Sequence, residues 1–225
     1  MTDSSEIMDK GVEAALRLAC EEGWPAVTLS GVAERAGLEL GAFHGVADKA
    51  AIGHAVEAWF DSAMLREAPV LEGTPRERLF DVLMNRFEAM EPYRDGLVSF
   101  WKWRQRQPAE VARMAGERKA TADWALVSAG LDGSQDVPAG LRGVNLAWVV
   151  AKAARAWRKD QGPDFTRTMS TLDRELRAAE EREGWLARVM GGRRRDTQSA
   201  EPPSDSPAAD TAAGPDGPPD APQQS

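Results

Sequence analysis

Cysteine and histidine are scarce in this chain of 225 residues, which contains one cysteine and two histidines. Cys20 has no partner for an internal disulfide, so the reducing cytoplasm is the expected location. His44 and His54 lie ten positions apart with no cysteine near them, which is not a metal-ligand spacing. The sequence therefore predicts neither a disulfide nor a metal site.

Long apolar runs and secretion signals are also missing. No apolar stretch approaches the length that spans a bilayer, and Met1 is followed by the polar residues Thr2 to Ser5 rather than by a signal sequence. We expect neither a membrane span nor export.

Motifs of the common enzyme classes are absent. The chain has no Gly-x-Ser-x-Gly elbow, no P-loop and no dinucleotide-binding glycine motif. Its carboxylates are scattered beside arginines on helical faces, where pairing at i, i+4 explains them. We predict no catalytic residues, no cofactor and a non-enzymatic function.

The net charge of −8 is distributed unevenly along the chain. Residues 1–60 carry four basic and ten acidic side chains, whereas residues 61–200 have a basic excess of three. Residues 201–225 carry five acids and no base. Because DNA affinity comes largely from lysine and arginine neutralising phosphates, the charge of residues 1–60 opposes nucleic-acid binding.

Apolar residues recur at helical spacing through most of the chain, and no convincing strand pattern interrupts them. Start signals are clear at Thr28, Asp48 and Asp164, and at Thr74-Pro75-Arg76-Glu77, which matches a capping box. We predict an all-α fold of about nine helices in two domains, residues 1–66 and 67–190. Residues 191–225 are rich in proline with no aromatics, and this composition predicts a disordered tail.

Residues 28–49 form the most informative stretch, TLSGVAERAGLELGAFHGVADK. Thr28 is a natural helix cap, Gly37 ends the first short helix, and a second short helical run is expected over residues 40–44. Two helices joined by a tight glycine turn are the helix-turn-helix pattern, whose second helix normally enters a DNA major groove.

With its flanks, this stretch resembles the N-terminal domain of the TetR family of transcriptional regulators. The resemblance rests on a first amphipathic helix ending at Glu22-Gly23 and on Trp24, Thr28, Ala36-Gly37, Gly41 and Lys49. It implies a TetR-like fold, with a helical domain for a ligand and for dimerisation behind the N-terminal module. The DNA-binding residues it implies are Thr28, Glu39, Leu40, Ala42, Phe43, His44 and Lys49.

The chain departs from the TetR pattern within the second helix. Glu39 and Leu40 occupy positions where relatives commonly have a serine or threonine cap and a lysine, and His44 replaces a usual tyrosine. The link over residues 45–48 lacks a usual phenylalanine and is about one residue short before Lys49. The sequence leaves open both specific DNA binding and its loss.

Tryptophans recur on the central helices, and two interpretations apply to them. They can be ordinary core residues, or they can line an apolar cavity of the kind in which TetR relatives bind small effectors. The cavity interpretation takes Asn145 as a polar contact, because a buried asparagine needs hydrogen-bond partners. Its ligand-binding residues are Trp101, Trp103, Trp124, Asn145 and Trp148.

The segment KDQGPDFTRTMSTLDRELRAAEE resembles part of another TetR-fold group, the lipid-binding accessory protein of ubiquinone biosynthesis. The matching residues are Asp160, Pro163, Asp164, Phe165, Thr168 and Leu172. This resemblance implies a lipid or isoprenoid ligand and no DNA binding.

The segment GWLARVMGGRRR places four apolar residues on one helical face ahead of three arginines. This pattern is compatible with a short anchor on an anionic membrane surface, and equally with a final helical turn packed on the protein body. The candidate membrane-contact residues are Trp185, Leu186, Val189 and Met190.

The sequence supports two functions. The first is a homodimeric, ligand-responsive transcriptional regulator, paired through residues 139–160 and 164–183 as TetR relatives are. The second is an accessory protein for an apolar lipid, loosely associated with the inner membrane, whose helix-turn-helix no longer binds DNA. The N-terminal resemblance favours the regulator, and the acidic N-terminal charge favours the alternative.

Overall fold

The computed structural model describes residues 3–65, 72–133, 138–160, 162 and 164–198, without the side chains of residues 139 and 185–198. By backbone contacts the chain divides into two compact units, residues 1–188 and residues 189–225. The first unit contains almost all of the described residues. In the second, only the helical backbone of residues 189–198 is described. Residues 191–198 of the predicted disordered tail are therefore helical, and residues 199–225 fall outside the described residues.

Eight α-helices make up the described chain, and no strand occurs in these ranges. They are α1 Ser4–Glu22, α2 Leu29–Ala36, α3 Lys49–Asp61, α4 Pro75–Met90, α5 Arg94–Arg104, α6 Pro108–Ser128, α7 Ala139–Trp157 and α8 Thr166–Gln198. Single 3₁₀ turns cover Trp24–Ala26, Leu40–Phe43, Ser62–Leu65 and Glu91–Tyr93. The all-α prediction is confirmed, and α8 continues well beyond residue 183. The division into domains at residue 66 stays a prediction.

The starts of α2, α3 and α4 follow the caps predicted from the sequence. At α8, which begins at Thr166, the carboxylate of Asp160 rather than the predicted Asp164 accepts from a first-turn amide, that of Thr168 at 2.8 Å. The Thr28 side chain accepts from the Gly31 amide at 3.1 Å, and the Asp48 carboxylate accepts from the Ala51 amide at 2.7 Å. Thr74 and Glu77 form the complete reciprocal capping box. These bonds satisfy amides that the first turn of a helix leaves without partners.

A single hydrophobic core joins the N-terminal helices to the central ones. The largest fully buried side chains are Trp24, Trp157, Arg104, Phe43, Phe60, Phe87, Phe100, Leu16, Ile52, Leu83, Met90 and Leu97. Trp24 packs against Phe100 of α5, with ring centroids 4.4 Å apart. The N-terminal module is therefore fixed to the body of the protein by aromatic packing.

Gly96 permits the close approach of α1 and α5. A Cβ atom at this position would lie 2.6 Å from the backbone oxygen of Leu16, which cannot move as a side chain can. We expect Gly96→Ala to lower the free energy of unfolding by about 1–3 kcal/mol through overpacking, measured by chemical denaturation.

Gly116→Ala is the matched control for this substitution. Gly116 lies within α6, and a Cβ there meets nothing within 4 Å. Alanine should therefore stabilise the helix by about 0.5–1 kcal/mol. Equal effects of the two substitutions would contradict the proposed α1–α5 contact.

Candidate functional site

The first helix and the glycine turn of the predicted helix-turn-helix are present, but its second helix is reduced to a single 3₁₀ turn. Gly37 adopts the left-handed conformation at φ 66°, ψ 31° and ends α2 as expected. The segment Leu40–Phe43 then forms one 3₁₀ turn instead of a helix over residues 40–44. Glu39 makes no side-chain cap bond at its start, and Gly45 at φ 76° follows its end, so neither side supports a further turn.

The predicted DNA-binding residues divide into outward and inward groups. Glu39, Leu40 and His44 are exposed, whereas Ala42 is half-buried. Phe43 is 1% exposed and packs against α1 at Gly11, so its side chain cannot contact a base. The exposed Thr28 uses its hydroxyl as the α2 cap.

Lys49 faces the protein backbone. Its Nζ donates to the carbonyls of Trp24 at 3.1 Å and Pro25 at 3.3 Å, and lies 5.9 Å from the Trp24 ring centroid. Burial lowers the pKa of the ammonium group. Lys49 therefore closes the turn after α1 rather than pointing towards solvent.

The other three cations of residues 3–60 are paired with carboxylates. Lys10 meets Glu6 at 2.8 Å, and Arg17 meets Glu13 at 2.8 Å. Arg35 makes two bonds to Glu21, at 2.6 and 2.5 Å. All four cations of this acidic region thus have acceptors within the protein.

The face around the 3₁₀ turn carries an open apolar groove of about 600 Å³. Its lining residues are Leu29, Leu40, Phe43, His44, Gly45, Val46, Ala47, Asp48 and Ala51. Leu40 is 50% exposed at this groove, and Asp48 is among the other lining residues. The face offered to a partner is thus apolar with acidic neighbours.

The predicted ligand-binding residues do not line one common cavity. Trp101 is buried, and its Nε1 donates to Glu57 at 2.7 Å. Trp103 is half-buried beside Trp24, whereas Trp124 and Trp148 are 47% and 59% exposed. Two tryptophans at i, i+2 on one helix face different directions, which separates Trp101 from Trp103.

Asn145 is satisfied by the protein itself. Its amide nitrogen donates to the Ala179 carbonyl at 3.1 Å and to Glu183 at 3.0 Å, and its oxygen accepts from Arg182 at 2.8 Å. These bonds connect α7 to α8. They assign Asn145 to helix packing rather than to a vacant polar position in a cavity.

A buried ionic cluster lies among the central helices, where the sequence suggested an apolar space. Arg86 donates to Asp61 at 2.7 Å and to Glu57 at 2.6 Å, and Thr121 donates to Asp61 at 2.9 Å. Burial raises the pKa of the Asp61 carboxyl. Burial acts in the same direction on Glu57, but the charge of Arg86 and the bonds from Trp101 and Arg86 outweigh it, and the pKa of Glu57 is lowered.

Sequence reasoning missed this cluster, although a signal was present. Arg86 lies three residues after Leu83 and four before Met90, which places it on the apolar stripe of α4. Arg104, which is fully buried, binds both oxygens of Glu117 at 2.6 and 2.9 Å. An arginine on a core-facing stripe requires a buried carboxylate, and that requirement could have been predicted.

A narrow crevice opens beside the cluster, with about 30 Å³ accessible to water. It is lined by Glu57, Arg86, Trp101, Gln105, Met114, Glu117, Arg118, Thr121, Val150, Ala151, Ala154 and Arg158. Of the predicted ligand-binding residues, Trp101 alone lines this crevice. A separate open depression of about 640 Å³ on the α7 surface includes Asn145 and Trp148.

Apolar side chains are exposed along α7. Leu141, Val144 and Trp148 are between 46% and 59% exposed, and their i, i+3, i+7 spacing puts them on one face. Met169 of α8 is 40% exposed. The membrane-contact candidates Trp185, Leu186, Val189 and Met190 lie in the helical backbone of α8, and their side chains fall outside the described part.

The two histidines take no part in a metal site within the described ranges. These ranges contain no group of three or more histidine, cysteine, aspartate or glutamate side chains suited to a metal ion. His54 instead lies 3.3 Å from Glu110. Among the described helices, none is both long enough and apolar enough to cross a bilayer.

Two solved structures resemble most of this chain. A TetR transcriptional regulator from Nitrosomonas europaea ATCC 19718 matches with a TM-score of 0.63 and 21% identity, over 77% of this chain and 97% of the regulator. A TetR transcriptional regulator from Rhodococcus sp. RHA1 matches with a TM-score of 0.57 and 18% identity, over 79% and 97%. No protein-family model and no curated protein matches the chain. The chain therefore has a TetR-like fold, as predicted.

Proposed function

We propose that the chain is a dimeric, DNA-binding transcriptional regulator that responds to a small ligand. The observation that supports this best is the N-terminal module itself. It keeps the capped α2, the left-handed Gly37 and an outward turn carrying Glu39, Leu40 and His44, within a fold shared with two TetR regulators along 97% of their length. In this function the exposed turn contacts base edges.

Few phosphates are contacted in this proposal. Exposed ion pairs are weak, so Arg17 or Arg35 can exchange its carboxylate for a DNA phosphate. Each exchange leaves a bare glutamate close to DNA, which opposes binding. We therefore expect low affinity and a shallow dependence of log K on log salt, with each phosphate contact adding about 0.9 to the slope.

Fluorescence anisotropy with the DNA upstream of the chain's own gene tests the proposal. Binding that weakens as salt rises, and that is reduced at least about tenfold by Leu40→Ala with His44→Ala, is the expected result. Val111→Ala, at an exposed apolar position on α6, is the control. Absence of any binding at low ionic strength would remove the DNA-binding function.

Dimerisation is expected through the exposed face of α7 together with α8. Three large apolar side chains in a row are unfavourably exposed to water. Burying them against a second copy contributes about 25 cal/mol of favourable free energy per Å² of apolar area, before the entropy lost on association is subtracted. Trp148→Glu should shift the chain from dimer to monomer, weakening the dimer by about 100-fold or more. Analytical ultracentrifugation measures the change.

Val111→Glu is the matched control for dimerisation. It introduces the same charge at a side chain 48% exposed on α6. The variant should remain dimeric. If the dissociation constant of the dimer is unchanged in Trp148→Glu, the dimer interface must lie elsewhere.

A second function is favoured by the paired cations. Lys10, Arg17, Arg35 and Lys49 all have acceptors within the protein, which suits a module that no longer binds DNA. Under this alternative the chain is a TetR-fold accessory protein that holds a lipid or isoprenoid. Native mass spectrometry of the purified protein should then show a co-purifying lipid mass, together with flotation on anionic liposomes. A clean apo spectrum without flotation would count against it.

A further inference from the structure

Arg118 of α6 and Arg158 after α7 differ from the buried arginines of the central helices. Arg86 pairs with Glu57 and Asp61, and Arg104 pairs with Glu110 and Glu117. The side chains of Arg118 and Arg158 are half-buried and make no hydrogen bond or ion pair with the described residues. Their charges therefore lack a carboxylate partner in this part of the chain.

Both arginines line the same narrow crevice, together with Gln105 as a further polar group. The carboxylates of the crevice are already occupied. Glu57 accepts from Trp101 and Arg86, and Glu117 accepts twice from Arg104. The charge of Arg118 and Arg158 therefore remains available to a ligand.

The Arg158 guanidinium is held in place by an aromatic face. Its Cζ lies 5.6 Å from the Trp101 ring centroid. Burial, with the charges of Arg155 and Arg118, lowers the pKa of Arg158 below its usual value. Because arginine stays protonated in proteins, the positive charge of Arg158 remains partly buried without a counter-charge, and a bound anion would neutralise it.

We propose that Arg118 and Arg158 bind the anionic head group, a carboxylate or a phosphate, of the ligand to which the chain responds. Two guanidinium groups match the paired oxygens of such groups. The crevice admits about 30 Å³ of water, little more than one or two water molecules occupy. Only the head group enters it, and an apolar remainder of the ligand stays outside the crevice.

The proposed anion site means that the ligand of the proposed regulator is an anion. The binding itself does not require the regulator function, and only the response to binding rests on it. Its test needs no DNA. The full-length protein is titrated calorimetrically with inorganic phosphate, decanoate and decanol at matched ionic strength. Phosphate is an anion without an alkyl chain, decanoate is an anion with one, and decanol is an alkyl chain without charge. Binding of phosphate or decanoate, but not of decanol, is expected.

Three variants localise the site. Arg118→Met and Arg158→Met should each weaken anion binding at least about tenfold. Lys102→Met, at an exposed position on α5 outside the crevice, should change it less than about twofold. Loss of an unpaired charge should leave the melting temperature of the unliganded variants equal or higher, which separates a binding defect from misfolding.

The outcomes separate the sources of the anion. Phosphate binding alone indicates a small free anion, whereas decanoate binding alone indicates an acyl carboxylate. Unchanged binding by the Arg118→Met/Arg158→Met double variant would overturn the assignment, as would no binding of either anion at about 10 mM. A positive titration beside a negative DNA assay would remove the regulator and leave the anion site.

Discussion

Replacing Arg86 with methionine is expected to lower the free energy of unfolding by about 3–5 kcal/mol, because the substitution leaves the buried carboxylate of Asp61 and the largely buried carboxylate of Glu57 without their cation. Arg86 is 3% exposed and bridges Glu57 of α3 to Asp61 one turn later. Methionine fills much of the same volume, so the loss is electrostatic rather than a cavity effect. Urea denaturation followed by circular dichroism measures it.

The pH dependence of this loss identifies its cause. In the wild-type chain the pKa of Glu57 is lowered, so its contribution to stability is present above the unfolded-state pKa and is lost as the pH falls. Without Arg86, the bonds from Trp101 and Thr121 remain, but burial, which is the largest influence on each carboxyl, is expected to raise the pKa of both. The difference between variant and wild type should therefore be largest near pH 7 and smaller near about pH 4.5, where the carboxyls of the variant take up protons.

Two further variants separate charge from packing at Arg86. Adding Glu57→Gln and Asp61→Asn to Arg86→Met should restore part of the lost stability, since no buried charge remains unpaired. Lys10→Met, which removes a cation from the exposed pair with Glu6, should change stability by less than about 0.5 kcal/mol. A pH-independent loss for Arg86→Met would point to packing instead.

The helical framework could be predicted because its signals are local. The caps at Thr28, Asp48 and Thr74 each act on an amide three residues away, and Gly37 ends α2 through its own backbone conformation. Such signals lie within a few residues and do not depend on the rest of the fold. The second element of the helix-turn-helix was predicted less well, since no cap defines its start.

The side chains of the candidate sites could not be placed in the same way. Asp61 and Thr121 are sixty positions apart, and Lys49 finds its acceptors at Trp24 and Pro25. Whether a lysine faces DNA or a carbonyl depends on which loop lies beside it in three dimensions. Likewise, the exposure of Trp148 and the burial of Trp101 depend on how α5 and α7 are oriented, which composition does not reveal.

Phe43→Ala is the second substitution with a large expected effect, since Phe43 anchors the exposed turn to the core. The ring is 1% exposed and contacts α1 at Gly11, where a Cβ would lie 3.0 Å from its Cε1 atom. Its backbone oxygen also accepts from the amides of Val46 and Ala47, both at 3.0 Å. We expect a loss of about 3–5 kcal/mol, with faster hydrogen exchange at those two amides.

Leu40→Ala is the matched control, because it truncates an exposed side chain of the same 3₁₀ turn whereas Phe43→Ala truncates a buried one. Leu40 is 50% exposed, so its truncation should alter stability by less than about 0.5 kcal/mol and leave exchange at Val46 and Ala47 unchanged. If the chain binds DNA, both variants should lose DNA affinity, but for different reasons. Leu40→Ala should weaken DNA binding while the protein stays folded. Phe43→Ala should weaken DNA binding because the turn detaches from the core. Phe43→Leu should restore that binding, since leucine refills the core. Equal stability losses for Phe43→Ala and Leu40→Ala would show that the turn is held by its backbone bonds alone.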